Sequence, residues 1–199
     1  VSGTVQIIKR ESALPFEQDG VIQSPRLILV DPNIPTGKSD IWPTIKIAIK
    51  QAEQDVHEYG FIAVAVSYAN LRLNACIHHE FAPSAIVLSS TPKTAKNIYV
   101  MGIGRKPPFA SKRIDGHHSA TRCSAVVRFL IEMLTKPGDL VADLEVNRHA
   151  LPAIWCRRLG RSYTGRAAKA GTFDRAMAKL NQVELPATQL EMYAEKADG

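Results

Sequence analysis

Cysteine is scarce in this chain, and no two cysteines lie close together. Cys76, Cys123 and Cys156 are the only three in 199 residues, an odd number at wide spacing that excludes a disulfide framework and points to a reducing compartment. No Cys-x-x-Cys pair occurs, which removes the usual structural zinc signature. Also missing is any run of about 18 apolar residues, the length a transmembrane helix needs, so no membrane partner is expected. The opening stretch VSGTVQIIKRES lacks the charged, apolar and small-residue regions of a secretory signal, and the expected localisation is cytoplasmic. Internal repeats and low-complexity segments are absent as well.

What is present is the composition of an α/β domain. The hydrophobic fraction is 45%, and a chain of this length can bury roughly 70% of its unfolded surface. Residues 1–185 are expected to form a single domain, and residues 186–199, from Pro186 on, a charged tail. The formal net charge is +6 and the pI is near 9.3. Part of that charge is local. Arg105, Lys106, Lys112, Arg113 and Arg122 are opposed in their stretch by Asp115 alone, and Arg157, Arg158, Arg161, Arg166 and Lys169 have no acid among them. Such groups fit phosphate contact; a solvated basic surface has the same composition.

LILV at residues 27–30 and FIAVAV at residues 61–66 are apolar runs without polar alternation, as strands covered on both faces are. Between them Ile45, Ile49, Ala52 and Val56 recur at helical spacing over residues 42–57, with Asp40 as candidate N-cap and Tyr59-Gly60 at the close. Two such strands joined by one helix make a parallel pair. TVQII at residues 4–8 reads as a further strand. Residues 69–80 read as a helix with Leu73, Cys76 and Ile77 inward, which leaves His78 and His79, about 100° apart, on the surface. Residues 85–88 and 98–101 read as the strands of a hairpin. Residues 102–121, with Gly104, Pro107, Pro108 and Gly116, read as an unstructured loop. His117 and His118 in it have no cysteine or carboxylate neighbours, and no metal site is expected. A helix over residues 123–134 would turn Val126, Val127, Leu130, Met133 and Leu134 inward. Residues 173–181 read as the last covering helix.

The stretch from Thr135 to Gly165 says most about function. Lys136-Pro137-Gly138-Asp139 is a turn, residues 140–144 are a short buried strand, residues 150–159 are a helix stopped by Gly160, and Ser162 to Thr164 begin another strand. This order, with the apolar strand carrying Asp143 and followed by Leu159-Gly160-Arg161-Ser162-Tyr163-Thr164-Gly165, resembles the C-terminal half of the permuted, β-class DNA amino-methyltransferases, which modify adenine N6 or cytosine N4. Asp31-Pro32-Asn33-Ile34 after LILV is similar to the same family's Asp-Pro-Pro-Tyr. The likeness covers most of the chain. It implies an α/β, Rossmann-like methyltransferase fold: a mostly parallel twisted sheet, helices on both faces and an antiparallel edge hairpin. It also implies roles for particular residues. Asp31, Pro32 and Asn33 would surround the exocyclic amine of an extruded base, and Glu11 and Asp143 would hold S-adenosylmethionine.

The turn after Asp143 departs from that pattern. Where the family has Pro-Phe-x-Gly-Ser-Gly, this chain has Leu144-Glu145-Val146-Asn147-Arg148-His149. Glycine permits close approach and positive φ at such a turn, and the side chains here are expected to fill the cofactor's space. Ile34 replaces the stacking aromatic. No acid follows the second strand, since Gly165 leads into Arg166-Ala167. The resemblance with these departures implies a methyltransferase-like pseudoenzyme that uses no cofactor. It would bind nucleic acid, chiefly DNA, or a protein partner, as a free module or as the non-catalytic half of a dimer. Its nucleic-acid contacts would be Arg105, Lys106, Lys112, Arg113, Arg122, Arg157, Arg158 and Arg161. The alternative is an active S-adenosylmethionine-dependent enzyme with divergent motifs.

Overall fold

A computed structural model describes residues 5–9, 17–18, 21–31, 41–90, 96–115, 119–147, 149–167 and 169–183. Among these the chain order is β1 (Val5–Lys9), β2 (Glu17–Gln18), β3 (Val21–Ile22), β4 (Leu27–Val30), α1 (Trp42–Asp55), β5 (Phe61–Ser67), α2 (Leu71–Phe81), β6 (Ala85–Ser90) and β7 (Lys96–Gly102). It continues with β8 (Ser111–Asp115), α3 (Ser119–Leu134), β9 (Leu140–Asp143), α4 (Leu151–Arg158), β10 (Ser162–Ala167) and α5 (Ala170–Asn181). Eight strands form one sheet in the order β1-β10-β9-β4-β5-β7-β6-β8, and β2 and β3 pair separately. From β1 to β5 the neighbours are parallel. β7 runs antiparallel to both β5 and β6, and β8 runs parallel to β6.

The apolar runs lack polar alternation because alternate residues feed two cores. Leu27, Leu29, Phe61, Ala63 and Val100 pack on the side of α3, α4 and α5. Ile28, Val30, Ile62, Val64 and Tyr99 pack with α1 and α2 on the other. Every residue of β4 is buried, so both faces of the strand are covered. The expected fold class is therefore the observed one: α/β, mostly parallel, with helices on both faces.

Three details differ from the sequence reading. The hairpin of β6 and β7 is not the outermost element, because β8 lies beyond it in the stretch read as unstructured. The sequence of β8, SKRID, has no apolar alternation to announce a strand; charged residues of this kind are what protect an exposed edge. α3 starts at Ser119, and its inward stripe includes Ile131, fully buried, while Met133 is 41% exposed. Residue Asp40, the expected N-cap of α1, lies outside the described residues, as does the tail beyond residue 183. In the described part the cap position of α1 is Ile41, with no side-chain cap bond.

The two motifs that frame β9 and β10 have a structural explanation. In the Lys136-Pro137-Gly138-Asp139 turn the Asp139 N–H donates to the Lys136 carbonyl at 3.0 Å, Gly138 has φ 89°, and the Asp139 carboxylate accepts from the Lys136 N–H at 2.7 Å. Proline followed by a positive-φ glycine is the type II arrangement. Gly138 N–H reaches the Gly160 carbonyl at 2.8 Å, which joins this turn to the end of α4. Arg161 is 8% exposed, and its guanidinium donates to the carbonyls of Leu159 and Thr135 at 2.5 and 2.9 Å. A third bond, at 3.3 Å, goes to the Thr135 hydroxyl. Gly165 leaves room for Tyr163: a Cβ there would collide with the Tyr163 hydroxyl and lie 2.5 Å from Val146 Cγ2.

Candidate active site at the switch point

Chain connectivity reverses between two neighbouring strands of the sheet. β4 leads through α1 to β5 on one side, and β9 leads through α4 to β10 on the other. Open α/β sheets bind ligands in the crevice at the carboxyl ends of such a pair. Asp31 directly follows β4, and Asp143 is the last residue of β9, in register with Leu29. A cavity of about 490 Å³ lies there, and both carboxylates line it. Its floor is Ala63, Ala65 and Ile98, and its far wall is Val126, Val127 and Leu130 of α3. The two alanines belong to β5 and are small enough to leave this volume between sheet and helix.

Asp31 does not stand alone. Lys96, the first residue of β7, reaches across β5 and places its ammonium 2.6 and 2.7 Å from the two carboxylate oxygens. The side chains of Lys96 and Asp31 remain 38% and 39% exposed. Asp143 is in the opposite situation, 5% exposed. It accepts from the Glu145 N–H at 3.1 Å and from the Tyr163 hydroxyl at 3.2 Å. Burial outweighs those bonds and pushes its pKa up to about 7, with the charges of Asp31 and Glu145 adding to the rise. The Tyr163 hydroxyl is raised well above its ordinary value by the same burial and by Asp143 beside it.

The described residues of the turn after Asp143 border a space where the sequence reading had side chains filling it. Glu145, Asn147 and His149 line the cavity. Asn147 turns its side-chain oxygen back to accept from the His149 N–H at 2.9 Å, as Asp143 does with Glu145, so two local side-chain turns shape a segment where glycine was expected. Val146 is buried, with its N–H on the Arg166 carbonyl at 2.9 Å, and points away into the core. Ala150 then enters α4 with φ 48°, a left-handed conformation uncommon for alanine.

Of the residues the sequence singled out, the structure brings Asp31 and Asp143 together. Pro32, Asn33, Ile34 and Glu11 lie outside the described residues, and Arg148 and the side chain of Arg122 do as well. The basic residues whose side chains are described are not all on one surface. Arg105 stacks on Phe61, the first residue of β5, at 4.4 Å, and donates to the Leu134 carbonyl at 3.4 Å, so it and the exposed Lys106 sit at the amino ends of the parallel strands. Arg157 bonds the Leu180 carbonyl at 3.1 Å, and Arg158 stacks on Trp155 at 5.3 Å, both at the C-terminal end of α4. Arg161 is buried, and burial lowers its pKa; it is a clamp between segments and not a surface cation, contrary to its reading as a nucleic-acid contact. Lys112 and Arg113 lie exposed on β8, at the edge of the sheet. The cavity residue the sequence did not disclose is Lys96: no local pattern joins it to Asp31, 65 positions away, and only the register Ser67↔Lys96 across the sheet does so.

Among the described residues no cluster of three or more His, Cys, Asp or Glu is placed to hold a metal ion, and no helix is long and apolar enough to cross a membrane. Cys76 and Cys156 are free thiols, Cys156 buried and raised well above its ordinary pKa by that burial.

No protein-family description matches the sequence, and no curated protein matches it either. Solved structures do. The PvuII DNA methyltransferase, cytosine-N4-specific, superposes with a TM-score of 0.68 at 13% identity, over 92% of this chain and 89% of that one. M1.HpyAVI in its complex with S-adenosylmethionine gives 0.63 at 16% identity, over 89% and 100%. TTHA0409 from Thermus thermophilus, described as a putative DNA modification methylase and complexed with S-adenosyl-L-methionine, gives 0.60 at 14%, over 82% and 88%. Identities this low speak for the fold alone, and the chain therefore has the fold of the DNA methyltransferases to which the PvuII cytosine-N4 enzyme belongs.

Proposed function

We propose that the chain is an S-adenosylmethionine-dependent amino-methyltransferase acting on nucleic acid, DNA in the first instance. The observation that carries this reading is the shared cavity: the residues marked by the sequence at the ends of β4 and β9 line one space of about 490 Å³ at the switch point. That volume is within the range of roughly 300–1,000 Å³ of ligand sites. The lining suits the cofactor. Val126, Val127, Leu130 and Leu151 offer apolar walls, and Asp143, Glu145 and Asn147 offer acceptors for hydroxyl and amine donors. Bound there, S-adenosylmethionine would supply an electrophilic methyl group. Asp31, more exposed than Asp143, would accept a hydrogen bond from the exocyclic amine of the target base and orient its lone pair. Glu11, Pro32 and Asn33 keep the supporting roles the resemblance gives them.

Two features favour the second reading, a methyltransferase-like protein that binds nucleic acid or a protein partner without methyl transfer. The Asp31 carboxylate is engaged on both oxygens by Lys96, and no acid follows β10 to receive a ribose. Calorimetric titration with S-adenosylmethionine and with its demethylated product separates cofactor binding from its absence. Saturable micromolar binding, weakened by Asp143→Asn, is expected; no heat at millimolar ligand would remove the cofactor from the proposal. Transfer of labelled methyl to DNA, lost in Asp31→Ala, then separates the enzyme from the binding module.

A further inference from the structure

The ion pair of Lys96 and Asp31 belongs to the lining of the cavity. Lys96 begins β7 and Asp31 follows β4, with β5 between those strands, and the ammonium meets both carboxylate oxygens at 2.6 and 2.7 Å. With both oxygens engaged, a neutral amine that donates to this carboxylate has to compete with an ammonium, which adds a full positive charge to the same kind of bond. The pair is nevertheless more than a third exposed on each side, and ion pairs of that exposure are weak. An incoming anion that offers Lys96 another partner would release Asp31. Among the described residues lining the cavity, Lys96 is its lysine or arginine, against the carboxyl groups of Asp31, Asp143 and Glu145; in this acidic lining it is the side chain with which the phosphate of a bound nucleotide would pair.

We propose that Lys96 is a specificity-determining gate: it holds Asp31 until the phosphate of a bound nucleotide takes its ammonium, so the acceptor opens to a base carried on a phosphate and stays closed to a free nucleoside. This rests on the reading of Asp31 as the acceptor for the base. No bond is made or broken in the step; one ion pair replaces another.

The test is calorimetric binding of 2′-deoxyadenosine and 2′-deoxycytidine, each compared with its 5′-monophosphate, to the wild type, Lys96→Met and Lys96→Arg. The wild type should prefer the monophosphates by about tenfold or more. Lys96→Met should bring nucleoside and monophosphate to within about twofold, chiefly by binding the nucleoside more tightly, whereas Lys96→Arg should keep the preference. Circular dichroism of the variants checks that they fold. An undiminished preference in Lys96→Met, or no binding of either probe to the wild type, would overturn the gate. If S-adenosylmethionine binds and methyl is transferred but the preference ignores Lys96, the gate alone falls. If the preference depends on Lys96 and S-adenosylmethionine does not bind, the cofactor assignment falls and the gated nucleotide site stands.

Discussion

Asp143 accepts two hydrogen bonds, from Glu145 N–H and the Tyr163 hydroxyl, and still holds its proton up to about pH 7 because it is buried. A folded-state pKa above the unfolded value of 3.8 means that, between about pH 4 and pH 7, the folded chain keeps a proton the unfolded chain has released. Stability from this group is therefore full below about pH 4, is lost as pH rises to about 7, and is flat above. The whole effect is at most about 4 kcal/mol. Urea denaturation of wild type and Asp143→Asn at pH 4.5, 6 and 7.5 should show the difference between them shifting in favour of the variant as pH rises; a difference independent of pH would contradict the burial argument. Gly165 is constrained by space. Gly165→Ala would press a Cβ against the Tyr163 hydroxyl and Val146, disturb the bond from Tyr163 to Asp143, and destabilise by about 1–3 kcal/mol, read as a lower denaturation midpoint at unchanged m-value.

The segments around β9 and β10 show why some motifs were legible and others were not. Lys136-Pro137-Gly138-Asp139 and the run from Leu159 to Gly165 announce themselves because several of their residues have a local geometric duty: a type II turn, a positive φ at Gly160, a guanidinium bonded to two carbonyls, a glycine beside a tyrosine. Arg161→Lys keeps the charge and loses the planar fork; leaving buried carbonyls without donors costs about 1–3 kcal/mol. The thermal denaturation midpoint should fall accordingly, while the salt dependence of any nucleic-acid binding stays the same. β8 was not legible because its pairing with β6 is a long-range backbone match and its side chains are those of a solvated loop. The described residues of the turn after Asp143 were hard to place for a different reason. Its residue volumes were counted as if all entered the ligand space, whereas Asn147 folds onto its own backbone and Val146 enters the core.

For the whole molecule, strand direction decides which charges can serve the cavity. Arg105, Lys106, Arg157 and Arg158 lie at the amino ends of the parallel strands, while Arg166 and Lys169 lie at the carboxyl ends with Asp31 and Asp143. If nucleic acid is delivered to that cavity, Arg166→Ala with Lys169→Ala should lower DNA affinity and reduce the salt slope by up to about 2; Arg105→Ala with Lys106→Ala should leave both unchanged. A salt titration of the two double variants compares them directly. Ligand binding should also be visible in global stability: S-adenosylmethionine at 100 times its Kd adds about 2.7 kcal/mol, which in a domain of this size raises Tm by roughly 5–10 °C. The sequence alone determined the buried strands, the helices that cover them and the order in which they follow, because hydrophobic period and turn glycines act over a few residues. Whether the cavity is open, and that Lys96 meets Asp31 in it, was decided by tertiary structure, since both depend on strands far apart in the chain lying side by side in one particular register.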